Sequence, residues 1–318
     1  MRGLLIVLVA VLLTSHPAPI AARQAPGPPS PSVAVFVTVT DADRRVVPGL
    51  TADDFQLLDN GKPQAISAVD QNAGPVSVVL LIDTSGSMKA VLETAKTAAE
   101  AFLDNLAAGD MALVGGFAEK ATFNPAVGFT RDRSARKAGL HQLPPGFPSG
   151  LYDALSESID RLASQPGRRA VVVMTDGEDN VSRSNARRVA TKAAVAGVSV
   201  WSIGIVNEYD PGQAPVNMAT GQATPSGVRI RTKPDRGLEP LSENTGGAFV
   251  VLKNVTEWGP AFTTMAQALA RPYVVRFSPA VVDGKTHKLE VRVKPAGRTV
   301  LAPKTYKTAK ASPQYGPS

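Results

Sequence analysis

The sequence has 318 residues, of which 43% are hydrophobic, and its formal net charge is +7. So large an apolar fraction excludes global disorder, because it can build a buried core. Aromatic residues make up only 5% and the surplus charge forms no dense stripe, so we expect no nucleic-acid partner. With no cysteine in the chain, disulfides and cysteine-ligated zinc are excluded as well.

The first 22 residues have the pattern of an export signal. Arg2 gives a positive start, residues 4–13 form an unbroken apolar run, and Ala21 and Ala22 follow as cleavage positions. A transmembrane helix needs about 20 apolar residues, so this run is too short to be one. The pattern predicts a secreted or periplasmic protein with no membrane span in the mature chain, an uncleaved anchor being the alternative. Residues 23–32 follow as a proline-rich linker.

Three short strands are expected over residues 33–73. Val33–Thr40 is rich in β-branched residues, and residues 50–59 lead into a second strand. The pair Asn60-Gly61 is a strong hairpin signal, and a third strand is predicted at Ile66–Asp70. A unit of about 40 residues buries too little surface to be stable alone, so it should pack on other strands.

Residues 76–270 alternate strands with amphipathic helices. Most of these strands are continuous apolar runs, as in a sheet covered on both faces. The predicted strands cover residues 76–82, 111–117, 121–129, 170–175, 198–203 and 248–252. The predicted helices cover residues 89–107, 132–140, 150–164, 183–196, 237–244 and 257–270. This alternation predicts an α/β fold with a doubly wound, mostly parallel sheet. Residues 206–235 interrupt it as a loop insertion without periodicity.

Strands return in the C-terminal part, at Tyr273–Phe277, residues 287–293 and Thr299–Leu301. The middle one alternates apolar with charged residues, which is typical of a sheet with one face in water. We expect residues 273–307 to complete a small β-sandwich with the N-terminal strands, so that the α/β domain is inserted between the two halves. Residues 308–318 are predicted to be a disordered tail.

Polar side chains cluster where two of the buried strands end. Asp83, Ser85 and Ser87 come directly after the first strand, and Asp176 follows a later one. Ser149 lies between them, at the start of a predicted helix. Ligands of open parallel sheets bind beyond the carboxyl ends of the strands. A set made only of oxygen atoms suits a hard cation, Mg²⁺ first, with Mn²⁺ and Ca²⁺ as alternatives.

These motifs resemble a known family. Asp-x-Ser-x-Ser after one apolar strand and Thr-Asp-Gly after a later one look like the metal-ion-dependent adhesion site of the von Willebrand factor A fold. The resemblance covers residues 76–270. Residues 48–63 and 283–293 resemble the flanks of secreted bacterial proteins related to this family.

The resemblance implies a role for each candidate residue. Ser85 and Ser87 would bind the metal directly, while Asp83 and Asp176 would act mainly through bound water. The family has a threonine in a Gly-Thr-x-Leu-Tyr-Asp context where this chain has Ser149, which keeps the hydroxyl. The implied partner is a protein ligand that offers an Asp or Glu to the metal.

Other interpretations of these residues remain. Asp83, Ser85 and Ser87 could cap the following helix instead of binding a metal. Catalysis is not expected, because a serine hydrolase needs a Gly-x-Ser-x-Gly turn and a partner histidine, and the histidines are His16, His141 and His287. Two functions stay open: a metal-dependent binding or adhesion protein, and a structural or assembly subunit of an envelope complex that acts mainly through its β-sandwich. The sequence does not indicate an oligomeric state.

Overall fold

The structure is a computed structural model that describes residues 32–71, 73–123, 128–146, 148–177, 179–209 and 229–308. The predicted export signal, residues 23–31 of the linker and the predicted tail from residue 309 lie outside the described residues, as do residues 210–228 of the insertion. Within the described ranges, no helix is both long enough and apolar enough to cross a bilayer.

The chain alternates strands and helices as predicted for its middle part. The strands are β1 (Val33–Thr40), β2 (Phe55–Asp59), β3 (Lys62–Gln64), β4 (Ile66–Asp70), β5 (Val76–Asp83), β6 (Met111–Phe117), β7 (Ala121–Phe123), β8 (Arg168–Thr175), β9 (Val198–Ile205), β10 (Glu208–Tyr209), β11 (Ile230–Arg231), β12 (Phe249–Leu252), β13 (Tyr273–Phe277), β14 (Thr286–Val293), β15 (Thr299–Leu301) and β16 (Thr305–Lys307). The helices are α1 (Leu92–Asp104), α2 (Arg133–His141), α3 (Leu151–Ala163), α4 (Ala186–Ala196), α5 (Leu238–Asn244) and α6 (Trp258–Ala270).

A six-stranded sheet in the order β12-β9-β8-β5-β6-β7 forms the middle of the fold. All neighbours run parallel except β6 and β7. Side chains of β5 point alternately to two apolar cores, Leu80 to the core under α1 and α6, and Leu81 to the core under α3 and α4. Both faces are therefore covered, which explains the unbroken apolar sequence of β5. The predicted α/β class with a doubly wound, mostly parallel sheet is confirmed.

Two four-stranded sheets are built from the N-terminal and C-terminal strands, in the orders β15-β1-β13-β4 and β16-β14-β2-β3. In each sheet, N-terminal strands pair antiparallel with C-terminal strands, β1 with β13 and β2 with β14. One apolar core joins the two sheets and includes Val37, Leu57, Tyr273 and Phe277. The expected sandwich thus draws strands from both ends of the chain.

The predicted strand list was wrong in several places. Asn60 and Gly61 form the turn with φ of 49° and 80°, as a type I′ hairpin requires. The partner of β2 across that turn is the unpredicted β3, whereas Ile66–Asp70 pairs with β13 in the other sheet. Strand β3 contains Pro63 and lies at a sheet edge, where a missing N–H does not break a ladder.

Three other elements also differ from the prediction. Strand β16 was missed, since three mostly polar residues give no periodic signal. The insertion is not structureless, because β10 and β11 pair as a short antiparallel hairpin at its two ends. The strand expected at 121–129 ends at Phe123, and residues 124–127 lie outside the described residues.

A buried histidine–aspartate contact links the N-terminal and C-terminal strands of the sandwich. Nδ1 of His287 on β14 lies 2.8 Å from Oδ1 of Asp59 on β2, and its Nε2 lies 3.1 Å from Oδ1 of Asp283. Only 4% of His287 and 5% of Asp59 is exposed. Burial lowers the pKa of His287, but the hydrogen bonds and charges of Asp59 and Asp283 outweigh it, so the net pKa is raised.

This pair should make stability depend on pH. A histidine whose pKa is raised in the folded state makes its full contribution to the free energy of unfolding below its unfolded pKa of about 6.5. That contribution is lost as the pH rises through the pKa of the folded state. We expect His287→Asn to be less stable than the wild type near pH 6, and the difference to shrink towards about pH 9. Urea unfolding of both proteins at the two pH values measures this difference in stability.

The matched control is His141→Asn, since His141 is more exposed and contacts Glu100 on the surface. Surface pairs contribute little, so this variant should follow the wild type at both pH values. An unchanged stability difference for His287→Asn across the range would show that the imidazole is not charged in the folded protein.

Candidate metal centre

The carboxyl ends of β5 and β8 lie side by side at the point where the sheet reverses its strand order. Helix α1 follows β5 on one face of the sheet, and α4 follows β8 on the other. Such a reversal opens a crevice in which ligands of α/β sheets bind. Asp83 and Asp176 sit at these two neighbouring strand ends, as the sequence predicted.

Asp83 is fully buried and joins the two strand ends. Its Oδ1 accepts a hydrogen bond from the backbone N–H of Ser85 at 2.8 Å, and its Oδ2 accepts one from the Thr175 hydroxyl at 2.5 Å. These contacts hold the carboxylate in one orientation. Asp83 therefore fixes the loop after β5 against the end of β8.

The two serines of the Asp-x-Ser-x-Ser motif face the second carboxylate. The Ser87 hydroxyl donates to Oδ1 of Asp176 at 2.8 Å, and the hydroxyl oxygens of Ser85 and Ser87 are 3.3 Å apart. Asp176 is fully buried, as is 95% of Ser85. Four of the five predicted residues thus form one hydrogen-bonded group.

Ser149 lies in the loop before α3, which is tied to both other loops through the backbone. The N–H of Asn180 donates to the carbonyl of Ser149 at 2.9 Å, and the N–H of Gly146 donates to the carbonyl of Thr84 at 2.8 Å. Gly150 sits so close to the backbone of the 118–119 turn that a Cβ there would lie 2.6 Å from a carbonyl oxygen. The hydroxyl of Ser149 is buried and has no hydrogen-bond partner among the described residues.

Two carboxylates are buried here without a compensating charge. Burial, and then the charge of Asp83, raise the pKa of Asp176 to about 7. Burial also raises the pKa of Asp83, although hydrogen bonds from Ser85 and Thr175 oppose the shift. Neither carboxylate forms an ion pair with a lysine or arginine in the described part of the chain. Such an arrangement is unfavourable unless a cation or protons balance it.

The donor set fits a hard divalent cation. It consists of carboxylate and hydroxyl oxygens, the ligands that Mg²⁺ and Ca²⁺ prefer. No group of three or more His, Cys, Asp and Glu side chains is placed to hold a metal within the described ranges. A metal here would therefore depend on the serine hydroxyls together with the two aspartates, and the unpaired Ser149 hydroxyl would gain a partner.

The alternative that these residues cap a helix is wrong. Ser85 precedes a short 3₁₀ helix, Gly86–Met88, but makes no side-chain capping bond to it. Helix α1 begins later than predicted, with Val91 in the capping position and no side-chain cap. Asp83 and Ser87 direct their side chains to Thr175 and Asp176 instead.

Sequence reasoning missed two residues that shape the site. Thr175 was noted only as part of the Thr-Asp-Gly motif, yet it donates to Asp83. Asn207 gave no signal, since it lies in a stretch without periodicity, and its amide contacts Asp176 and the Ser87 backbone. The structure describes two histidines, and neither contacts this site. His141 contacts Glu100, and His287 contacts Asp59 and Asp283.

Comparisons with known proteins concern the same part of the chain. Residues 78–178 match the family model of the von Willebrand factor type A domain, a span that contains all five predicted metal-site residues. A comparison with curated proteins gives no significant match.

Solved structures give weaker likenesses. The chain is similar to a von Willebrand factor type A protein from Catenulispora acidiphila, with 13% identity, 89% of this chain and 75% of the other covered, and a TM-score of 0.49. It is also similar to the conserved hypothetical protein BatB from Bacteroides thetaiotaomicron, with 24% identity, 61% of this chain and 98% of the other covered, and a TM-score of 0.45. A third similar structure is proximal thread matrix protein 1 from the mussel byssus with a zinc-occupied MIDAS motif. Its identity is 13%, the coverage is 67% of this chain and 50% of the other, and the TM-score is 0.49.

Proposed function

We propose that this chain, whose residues 78–178 match the von Willebrand factor type A domain, is an extracytoplasmic protein that binds an acidic group of a protein partner through one Mg²⁺ ion. Domains of this family are interaction modules and typically not enzymes. Ser85, Ser87 and Ser149 would hold the ion directly. Asp83 and Asp176 would orient these hydroxyls and balance the charge, mainly through water.

One observation carries the proposal. Asp83 and Asp176 are fully buried side by side with raised pKa values, while the buried Ser149 hydroxyl has no partner among the described residues. A buried, uncompensated carboxylate is strongly unfavourable, and an unpaired buried hydroxyl costs about 1–3 kcal/mol. A single divalent cation removes both penalties at once, whereas protonation of a carboxylate would leave Ser149 unpaired.

The chemistry of the ligands favours binding over catalysis. The three proposed direct ligands are neutral hydroxyls, and the two carboxylates balance the ion's charge mainly through water, so no carboxylate of this chain would contact the ion directly. A bound Mg²⁺ would supply an open coordination position that an Asp or Glu of a partner can fill with a charge-assisted bond. Thr175 and the backbone N–H of Ser85 hold Asp83 in place, which leaves the serine hydroxyls to face the ligand.

The proposal extends to the whole mature chain. Support for export comes from the apolar run at residues 4–13, and a bacterial origin fits an exported chain without cysteine. We assign residues 33–73 and 273–307 to two halves of one sandwich, with residues 76–270 inserted as the type A domain. The pairing of β1 with β13 and of β2 with β14 supports this assignment.

Partner capture with and without a chelator tests the proposal. Immobilised mature protein is exposed to periplasmic or culture-medium proteins in Mg²⁺ and then washed with EDTA. We expect a partner that is held in Mg²⁺ and whose retention falls at least about tenfold in EDTA, because its carboxylate loses the ion. A partner retained equally well in EDTA would contradict the proposal and favour the structural or assembly subunit that acts through its sandwich.

A further inference from the structure

The two ends of the insertion at 206–235 contact two of the loops that carry the candidate metal residues and the helix turn that follows the third. Asn207, directly before β10, reaches the loops after β5 and β8. Asp235, a few residues after β11, reaches the loop after β8 and the first turn of α3. The insertion therefore begins and ends at the edge of the metal site.

Asn207 makes the closest contacts. Its side-chain Nδ2 donates to the backbone carbonyl of Ser87 at 2.9 Å and lies 3.4 Å from Oδ2 of Asp176. The other oxygen of Asp176 accepts a hydrogen bond from the Ser87 hydroxyl. One amide thus holds both the carboxylate and the backbone of the serine that bonds to it, and it does so without adding charge to the site.

Thr232 fixes Asn207 from the opposite end of the insertion. The N–H of Asn207 donates to the Thr232 hydroxyl at 2.8 Å, and the N–H of Thr232 donates back to the carbonyl of Asn207 at 2.8 Å. Between them, β10 and β11 pair through Glu208 with Arg231 and Tyr209 with Ile230. Since only 7% of Thr232 is exposed, this cross-link is shielded from water.

Asp235 holds the first turn of α3, directly after the loop that carries Ser149. Its Oδ1 accepts hydrogen bonds from the Tyr152 hydroxyl at 2.5 Å and from the N–H of Gly237 at 2.7 Å. Tyr152 lies three residues after Ser149, and its ring hydroxyl packs where a Cβ at position 237 would be, so Gly237 makes room for it. The second oxygen of Asp235 faces the N–H of Asp179 at 3.4 Å.

We propose that Asn207 and Asp235 are positioning residues of the metal centre, and that the insertion sets the metal affinity through them. This inference rests on the proposed function, because it concerns the same ion. Asn207 restricts Asp176 and Ser87 to one arrangement, and Asp235 restricts the helix turn that follows Ser149. Groups that orient metal ligands typically change affinity by about 10- to 100-fold. A protein or ligand that contacts the base of the insertion would thus change how tightly the ion is held.

Calorimetric titration of the full mature chain with Mg²⁺ alone, and with Mn²⁺ alone, tests this. We expect Asn207→Ala to bind about tenfold more weakly than the wild type. Asn254→Ala is the matched control, because Asn254 makes its contacts on the surface with Glu257 and should leave the affinity unchanged. Urea unfolding in EDTA shows whether each variant is folded before it is titrated.

Thr232→Val separates positioning from general damage. It removes the hydroxyl that holds Asn207 but keeps the shape of the side chain. Alone, Thr232→Val should lower the metal affinity, as Asn207→Ala does. Added to Asn207→Ala it should lower the affinity no further, because the side-chain amide that Thr232 positions is already gone. Additive losses would overturn the positioning role. If Asn207→Ala does not fold, Thr232→Val decides the matter alone.

The outcomes distinguish the two proposals. A wild-type protein that takes up neither ion contradicts the proposed function itself. A wild-type protein that binds metal, with Asn207→Ala and Thr232→Val binding equally well, leaves the proposed function standing and overturns the role of the insertion.

Discussion

Asp83→Asn is expected to weaken Mg²⁺ binding by roughly 100-fold or more, while the metal-free protein stays folded. The amide has the size of the carboxylate: its oxygen can still accept the Ser85 N–H, and its NH2 group can donate to the Thr175 hydroxyl oxygen, with the direction of that bond reversed. What it loses is one of the two negative charges of the site. Without metal, that loss relieves a buried carboxylate beside Asp176, so stability in EDTA should be equal to the wild type or higher by about 1–3 kcal/mol.

Asp110→Asn is the control for this change. Asp110 is also buried, but it lies at the opposite end of β5, where its carboxylate accepts the N–H groups of Val76 and Ala107 at 2.9 and 2.8 Å. The substitution should lower stability and leave Mg²⁺ affinity unchanged. Calorimetry and urea unfolding of both variants measure the two effects. Equal metal affinity in Asp83→Asn and the wild type would contradict the proposed ligand set.

Ser149→Ala is expected to change stability and metal binding in opposite directions. Its hydroxyl is buried without a partner among the described residues, so its removal should stabilise the metal-free protein by about 1–2 kcal/mol. With metal present, the same hydroxyl is a proposed direct ligand, and its loss should weaken Mg²⁺ binding roughly 100-fold. Ser149→Thr keeps a hydroxyl and should retain binding.

A buried serine on α3, the helix that follows Ser149, provides the comparison. Ser158 is fully buried on α3 and donates its hydroxyl to the carbonyl of Ala154 at 2.8 Å. Ser158→Ala should lose a little stability and no metal affinity. If Ser149→Ala instead destabilises the metal-free protein and binds Mg²⁺ normally, the hydroxyl has a structural partner and no role at the ion.

The parts of the fold that the sequence predicted well have strong local patterns. Strand β5 is apolar along its length because helices cover both faces of the sheet, and Asp83 and Asp176 could be located because each ends such a strand. The Asp-x-Ser-x-Ser spacing is also local, so the motif could be recognised before any packing was known.

What the sequence did not predict depends on contacts between distant segments. Strands β3 and β16 have three residues each, and pairing with β2 and β14 holds them in place rather than any pattern of their own. Asn207 is one polar residue in an irregular stretch, and its position follows from Thr232, 25 residues away. The unpaired state of the Ser149 hydroxyl likewise arises only when three loops meet.

Diffraction from crystals grown with Mn²⁺ tests the central claim most directly, because anomalous scattering locates the ion. We expect a single strong peak bounded by the hydroxyl oxygens of Ser85, Ser87 and Ser149, at roughly 2.0–2.4 Å from its ligands. The peak should vanish in Asp83→Asn crystals grown in the same way. A saturating Mn²⁺ concentration that leaves these three hydroxyls without a peak would contradict the account.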